Sequence, residues 1–450
     1  MTGKIGIISL GCAKNLVNTE QMMFLLNEAG YDATGDVEGS DVVIINTCAF
    51  IESAKTEAID TIIEIGELKR NGRVGKIIVA GCLPERYKNE IMLEMPEIDA
   101  VVGTGSFGDV VDAVNCVTGG GRTALFGDIN APVSETGRII TTSPVWAYLR
   151  IAEGCDNRCA YCVIPEIRGR FRSREISNIV TEAAELVRSG IRELILVAQD
   201  LTRYGLDIYG KRSLAALLNE LCSIDGLRWI RLHYLYPDEI DEEIIDVIIK
   251  NDKILKYLDI PIQHISDVVL WNMRRRGSGK DIRELFSYLR ERIEGLVIRT
   301  SLIAGLPYEG EEEFDELCAF LREVKIERAG VFAYSPEEGT DAAEMDRPDA
   351  DVASRRAELL TDIQSLVMDE YNLSRVGRDV TVLVERRDGD RYYGRSYAES
   401  PDVDGFITII GDDIGVNEFV EVRITGAEQG ELFAEVLGDE VLGDETRGKA

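Results

Sequence analysis

The chain has 450 residues, 45% of them apolar, and its 50 Lys and Arg stand against 81 Asp and Glu for a formal charge of −31. The apolar share excludes wholesale disorder, no run approaches the ~18 consecutive apolar residues of a membrane span, and the acidity works against a protein that grips nucleic-acid phosphates. At roughly 100–200 residues per domain, the length predicts two to four domains. A basic protein partner or a small substrate in a cleft is electrostatically easier, although an acidic proteome gives the same balance with no partner involved. The N-terminus, MTGKIGIISLG, lacks the apolar core and cleavage site of a signal peptide, and the chain reads as cytoplasmic. Nine cysteines in a reducing compartment do not form a disulfide framework. With only His233 and His264 in the chain, any metal is held mostly by sulfur.

In chain order, the first segment (1–135) repeats one pattern three times: an apolar run ends in cysteine, as GIISLGC at 6–12, VVIINTC at 42–48 and IIVAGC at 77–82. Such runs read as buried parallel strands, and the helical patterns between them (18–29, 53–69) predict a parallel α/β domain. Ligands of such sheets bind beyond the carboxyl ends of the strands. The intervals of 36 and 34 residues, about one βαβ unit each, therefore bring Cys12, Cys48 and Cys82 to one edge. Residues 117–145 read as a Gly/Thr/Ser-rich linker with room for a short hairpin. From 144 to 370, six candidate strands (147–152, 193–199, 229–235, 257–262, 297–304, 330–334) alternate with helical patterns, which predicts an open, partial (β/α)6 barrel with its site at the strands' carboxyl ends. The tail (371–437) carries five short β-like runs between Gly/Asp turns, predicting a small antiparallel barrel of the oligonucleotide-binding type. Residues 438–450 look frayed.

Directly after the first predicted barrel strand stands EGCDNRCAYC at 153–162. Three cysteines spaced C-x3-C-x2-C on one loop, Cys155, Cys159 and Cys162, suit an iron–sulfur cubane and leave one of its four irons open. The competing reading is a zinc site, but structural zinc takes four protein ligands, commonly as two close pairs.

This triplet, with Tyr161 before its third cysteine, resembles the signature of the radical S-adenosylmethionine (SAM) superfamily. The resemblance implies that the open iron chelates SAM, whose reductive cleavage gives a 5′-deoxyadenosyl radical, with the cofactor carrying the hard chemistry. Cys12, Cys48 and Cys82 ahead of such a triplet resemble the methylthiotransferase family, which implies a second, auxiliary 4Fe–4S cluster holding sulfur. The plain alternative is three buried core thiols. The resemblance extends over essentially the whole chain and makes the last domain similar to a TRAM module. SLGCAKNLVNTE, INTCAFIESA, LVAQDLTRYGLDIYG, LHYLYPD, YLDIPIQHISD and FAYSPEEGT look like the branch of that family acting on the β-carbon of an aspartate in small-subunit ribosomal protein S-twelve. SAM would then serve as radical source and methyl donor. A reductant protein and a sulfur donor are implied as further partners. Two departures are NTE at 18–20, where Asp-Ser-Glu is expected, and LPYEG at 306–310, where Phe-Pro-Gly-Glu is expected; the second bears on SAM contacts.

Charge favours the protein substrate. Residues 371–450 carry a net −9, against −22 for the other 370, so the tail is about twice as acidic per residue. A barrel gripping tRNA should be basic, whereas an acidic one suits a basic ribosomal protein; the alternative is a merely solubilising surface. The rivals are a tRNA adenosine methylthiotransferase and, from another class, an iron–sulfur electron carrier or redox sensor. Tyr161, Gln199 and Gly305 are candidate SAM contacts, and Asp200 ends the same predicted strand as Gln199. The segment RGRFRSR at 168–174 meets SAM or a substrate carboxylate, or is a solvated loop. The basic loop MRRRG at 273–277 reads as surface, His264 as a satisfied core histidine, and Cys116, Cys222 and Cys318 as helix packing residues. No general acid or base is assigned.

Overall fold

The structure is a computed structural model describing residues 3–411 and 414–437. Residues 438–450, expected to fray, lie outside the described residues. No helix among the described residues is long and apolar enough to cross a membrane.

Strands β1 (Lys4–Ser9), β2 (Asp32–Thr34), β3 (Val42–Thr47), β4 (Lys76–Gly81), β5 (Ala100–Val102) and β6 (Thr123–Leu125) form one parallel sheet in the order β2-β1-β3-β4-β5-β6. All six residues of β3 are buried, as a central strand covered on both faces requires. The three cysteine-ending runs become the adjacent strands β1, β3 and β4, so their carboxyl ends lie side by side. Three strands were expected and six form, because β2, β5 and β6 are three residues each, too short to show a period. The expected hairpin in 117–145 does not form: β6 instead extends the parallel sheet, entered through the helix Val110–Thr118. A parallel neighbour needs such a crossover.

β7 (Trp146–Arg150) opens the second domain, and β8 (Ala152–Glu153) pairs with β9 (Arg172–Ser173) as a small antiparallel clip that closes the cysteine loop. β10 (Glu193–Val197), β11 (Trp229–Leu232), β12 (Ile254–Asp259), β13 (Val297–Ala304) and β14 (Arg328–Ala333) then follow β7 in sequential parallel order, the open six-stranded barrel expected. The helix Ala350–Ser374 packs on β14 and continues to the third domain. There β15 (Asp379–Asp388), β16 (Arg391–Arg395), β17 (Ile407–Ile410), β18 (Phe419–Glu428) and β19 (Glu431–Val436) close in the order β15-β16-β17-β19-β18. All pairs are antiparallel except β17 with β19.

The three domains share one core. Val17 of the first, Trp146, Tyr148, Trp229 and Tyr257 of the second, and Leu383, Ala398 and Phe419 of the third pack in a single apolar cluster. Buried charge fixes the docking of the last domain. Fully buried Glu193 accepts from Arg231 Nε at 2.9 Å and from Arg395 at 2.7 Å, and Arg395 also pairs with Glu385. Removing one member of such a desolvated set leaves an uncompensated charge, at a cost of about 3–5 kcal/mol. The loop after β16 reaches into the open barrel, where Asp402 accepts from Tyr148 (2.7 Å), Asp404 from Tyr257 (2.7 Å), and Ser400 meets His233 (2.8 Å).

Glu399 pairs with Arg328 (3.0 Å) and Arg375 and accepts from Ser396 Oγ (2.7 Å). Burial alone would raise its carboxyl, but the two guanidiniums hold it down to about 2, against an ordinary 4.5. The folded value lies below the unfolded one, so this contribution is complete above about pH 4.5 and disappears as pH falls toward 2. In urea titrations, the stability gap between the wild type and Glu399→Gln is expected to be wide at about pH 5 and to close on acidification.

Candidate functional site

The turns that carry Cys12, Cys48 and Cys82 are packed against one another. Gly11 has φ +88°, and a Cβ there would fall 2.6 Å from Cys48 Cβ. Gly81, φ +98°, stands so close to the Cys48 strand that a Cβ would lie 2.6 Å from Thr47 O. Only glycine satisfies both the left-handed backbone and the close approach. Asn15 Nδ2 donates to Leu10 O (2.7 Å) and Thr47 O (3.2 Å), while Asn46 Nδ2 returns to Asn15 O (2.9 Å) and Thr47 Oγ1 to Ala80 O (2.7 Å). Cys12 caps the Ala13–Glu28 helix, and Cys82 opens the Cys82–Tyr87 helix. Both thiols thus sit at helix N-termini, which favour negative charge.

Burial first, and then the neighbouring Cys82 and Cys12 in the same direction, push the Cys48 thiol up to about 12. Cys82 is raised by burial and by Cys12. Burial also acts to raise Cys12, but Lys14 and Arg168 outweigh it and hold its thiol below the ordinary value. Three thiols within one another's field, two of them buried, ionise together only around a cation, the property of a donor set for an iron–sulfur core. Among the described residues, no three His, Cys, Asp or Glu groups converge to hold a single metal ion.

The second trio lies on the loop after β8. Cys155 N donates to Gly169 O and Ala160 N to Met273 O, while Asn157, between the first two cysteines, donates to Asp200 Oδ2 at 2.7 Å. Asp200 is fully buried and also accepts from Thr202 N, so it braces the cysteine loop. Burial pushes Cys155 up to about 12 and Cys162 higher still. Within the basic loop at 273–277, Met273 and Arg275 depart from the surface expectation, while Arg274, Arg276 and Gly277 keep to it. Met273, 1% exposed, packs with Ala160, Val269 and Leu306 and turns the loop inward. Arg275 is consequently buried, stacks 4.1 Å from the Tyr236 ring and donates to Cys159 Sγ at 3.8 Å, and the Tyr236 hydroxyl stands 3.7 Å from the same sulfur. Arg276 pairs with Asp238 and the buried Glu239 and Arg274 with Asp341, and both stay exposed; of the three only Arg275 is buried.

Among the candidate SAM contacts, Tyr161 packs beside Ala160, Met273 and Leu306. Gln199 donates to Glu153 Oε1 at 2.8 Å, and its own Oε1 is buried with no partner, an acceptor open to a ligand's donor. Gly305, φ +80°, is backed by Ala353 and donates its N–H to Glu309 at 2.8 Å, beside a cleft of about 370 Å³ that it shares with Tyr334, Met345 and Ala353. His264 is a core histidine: its Nδ1 accepts from Ser266 N at 3.0 Å, and its Nε2 faces Glu309 at 3.3 Å. Cys116, Cys222 and Cys318 lie on helices, apart from both trios.

Of the 168–174 segment, the two outer arginines turn inward. Arg174 is clamped between Glu135 and Glu182. Arg168, 3% exposed, donates to Asn18 Oδ1 (2.8 Å), Asn15 Oδ1 (2.9 Å), Glu153 Oε2 (3.3 Å) and Cys82 Sγ (3.4 Å). Glu153 in turn accepts from Arg150, which reaches Gln21 of the first domain. Burial opposes ionisation of Glu153, but Arg168 and Arg150 hold it down to about 2. Sequence reasoning missed Lys14, Asn15, Glu153, Tyr236 and Arg275. The available signal was adjacency, since Lys14-Asn15 follows Cys12 and Glu153 precedes Cys155 by two positions.

Comparison with known proteins agrees with this division. Residues 4–103 match the uncharacterized protein family UPF0004, 149–321 the radical SAM superfamily and 376–437 the TRAM domain. The ribosomal protein uS12 methylthiotransferase RimO of Thermoanaerobacter sp. (strain X514) is 45% identical over 436 residues, covering 96% of this chain and 99% of that protein. The chain belongs to the ribosomal protein uS12 methylthiotransferase family. A second member, from Pelotomaculum thermopropionicum, is 47% identical over 445 residues, with 96% and 99% coverage. In fold, the chain resembles the radical S-adenosylmethionine methyltransferase TsrM of Kitasatospora setae, with a TM-score of 0.55 at 15% identity over 75% of this chain and 77% of that one.

Two outcomes are expected at the site of this family member. Gly11→Ala drives a methyl into Cys48, so iron in the anaerobically reconstituted protein should fall from about eight to about four per chain, with the C-x3-C-x2-C set still loaded. Arg275→Leu removes a positive donor from Cys159, so the cluster there should be retained with a more negative midpoint potential in an EPR-monitored redox titration.

Proposed function

We propose that the chain is a radical SAM methylthiotransferase that adds a methylthio group to the β-carbon of an aspartate in ribosomal protein uS12, acting in the cytoplasm with a reductant protein and a sulfur donor. The observation that carries this reading is one buried ion pair shared by the two cysteine sets. Arg168 donates both to Cys82 Sγ and to Glu153, and Glu153 lies two residues before Cys155. Cys12, Cys48 and Cys82 would hold the auxiliary cluster, and Cys155, Cys159 and Cys162 the SAM-cleaving one. When bound, these groups and SAM supply the radical that removes hydrogen from an unactivated carbon and the sulfur that replaces it, chemistry beyond side-chain acids and bases.

The residues have separate tasks. Asn157 and Asp200 brace the loop that presents Cys155 and Cys159. Gln199, anchored on Glu153, turns its free Oε1 to the SAM side. Arg275 and Tyr236 cover Cys159 with a cation and a hydroxyl, favouring the electron-rich state of the sulfur. Buried Met273, Leu306 and Ala342 beside Tyr161 keep water from the loop, as a radical site requires. The acidic C-terminal domain supports a basic protein substrate over tRNA.

Mass spectrometry of uS12 after anaerobic incubation with enzyme, SAM, reductant and sulfide should show one methylthio group in place of one hydrogen. Cys155→Ala should abolish 5′-deoxyadenosine release, whereas Cys48→Ala should keep it and lose the product. Methylthiolation of tRNA with uS12 untouched would reject the substrate assignment.

A further inference from the structure

Lys14 opens the Ala13–Glu28 helix two residues after Cys12 and is only 8% exposed. Its ammonium stands 3.8 Å above the centre of the Tyr234 ring. Among the described residues it makes no hydrogen bond, and no carboxylate lies within ion-pair distance. A buried charge persists where it is paired or hydrogen-bonded, and a ring face meets that demand only in part. The neighbouring buried cations are all supplied: Arg168 by Asn15, Asn18, Glu153 and Cys82, Arg150 by Glu153 and Gln21, Arg299 by Asp259, and Arg275 by Pro261 O and Cys159. Lys14 lies in the field of the Cys12 thiol and of Glu153, but of these cations it is the one with no hydrogen-bonded or ion-paired anion among the described residues.

The opposing wall is built to keep it there. Tyr234 follows β11, at the barrel end where such folds place their reacting groups. It holds φ +65°, a conformation costly for a bulky residue. It is pinned by its N–H to Asp259 Oδ2 (3.3 Å) and by its carbonyl to Leu201 N (3.0 Å). The strained turn holds the ring under the ammonium.

We propose that Lys14 receives the side-chain carboxylate of the acceptor aspartate and sets the preference for aspartate over asparagine; this rests on the functional reading above. In aspartate the β-carbon is bonded directly to the carboxylate carbon. An ammonium two residues from Cys12 that fixes the carboxylate therefore also fixes the carbon to be thiolated beside the auxiliary trio. A site built around an unpaired charge rejects the neutral isostere, because binding it leaves the ammonium buried and unmet. The carboxylate of SAM has the same chemistry, and so the test measures both ligands.

Full-length reconstituted enzyme is titrated with full-length uS12, with uS12 whose acceptor aspartate is changed to asparagine, and separately with SAM. The wild type should bind the aspartate form about 10- to 100-fold tighter than the asparagine form. Lys14→Met should bring that ratio near one with iron, sulfide and SAM affinity unchanged, and Lys14→Arg should restore part of it. An unchanged ratio in Lys14→Met, a wild type without discrimination, a loss confined to SAM affinity, or a loss confined to cluster content each overturns the assignment. A wild type that leaves uS12 unmodified sinks the functional reading itself, and product analysis separates that result from an unchanged ratio.

Discussion

The buried pair of Arg168 and Glu153 is the constraint around which the site is organised. The arginine follows the C-x3-C-x2-C loop, yet three of its four partners (Asn15, Asn18 and Cys82) belong to the first domain. A guanidinium taken out of water needs most of its donors met, and its planar fork meets them only in one geometry. Satisfying Arg168 therefore fixes the distance and angle between two domains that the backbone joins through a long irregular connection. Glu153 repeats the logic from the other side, gathering Arg168, Arg150 and Gln199 on one carboxylate. The turns that carry the two cysteine sets and a candidate SAM contact are thus members of one electrostatic network.

The same architecture is used twice. In the first domain the cysteines follow the parallel strands β1, β3 and β4, and in the second they follow the clip strand β8 just beyond β7, so both sets lie where parallel sheets leave their strand ends open. Adjacent strands let three separate turns supply the first trio, while a single loop, clipped by β8 and β9, supplies the second. Around the second, Arg275 and Tyr236 place positive charge and a hydroxyl at one sulfur. Around the first, positive charge comes from Arg168, which donates to Cys82, and from Lys14, which acts through space on Cys12 and has no hydrogen bond among the described residues.

The third domain is part of the barrel wall. Its Glu385, Glu399 and Asp404 point inward to Arg395, Arg375 and Tyr257, while Asp402 accepts from Tyr148 and stays exposed. A share of the acidity that marks the tail is therefore internal structure and unavailable to a partner. The remaining carboxylates supply the outward field that suits a basic substrate.

The alternation of apolar runs with helical patterns made the parallel sheets legible, and the short β-like runs between Gly/Asp turns made the closed barrel legible. The reason is that burial on both faces or one face leaves a period in the sequence. The spacing of Cys155, Cys159 and Cys162 was legible because one loop carries the whole set. The cysteine-ending repeats at 12, 48 and 82 were legible because strand ends of one sheet must be neighbours when the strands are. Three-residue strands such as Asp32–Thr34 left no period to read. The inward turn of Arg275 and Arg168 was invisible because a run of arginines has the same composition whether solvated or buried. Only the packing of Met273 and the partners from a distant helix decide which. The sequence by itself determined which sheets form and which thiols follow their strand ends, since local pattern and spacing encode both. Tertiary structure alone decided which charges meet between the domains, because a buried ion's partner is set by desolvation and geometry across more than a hundred residues of chain.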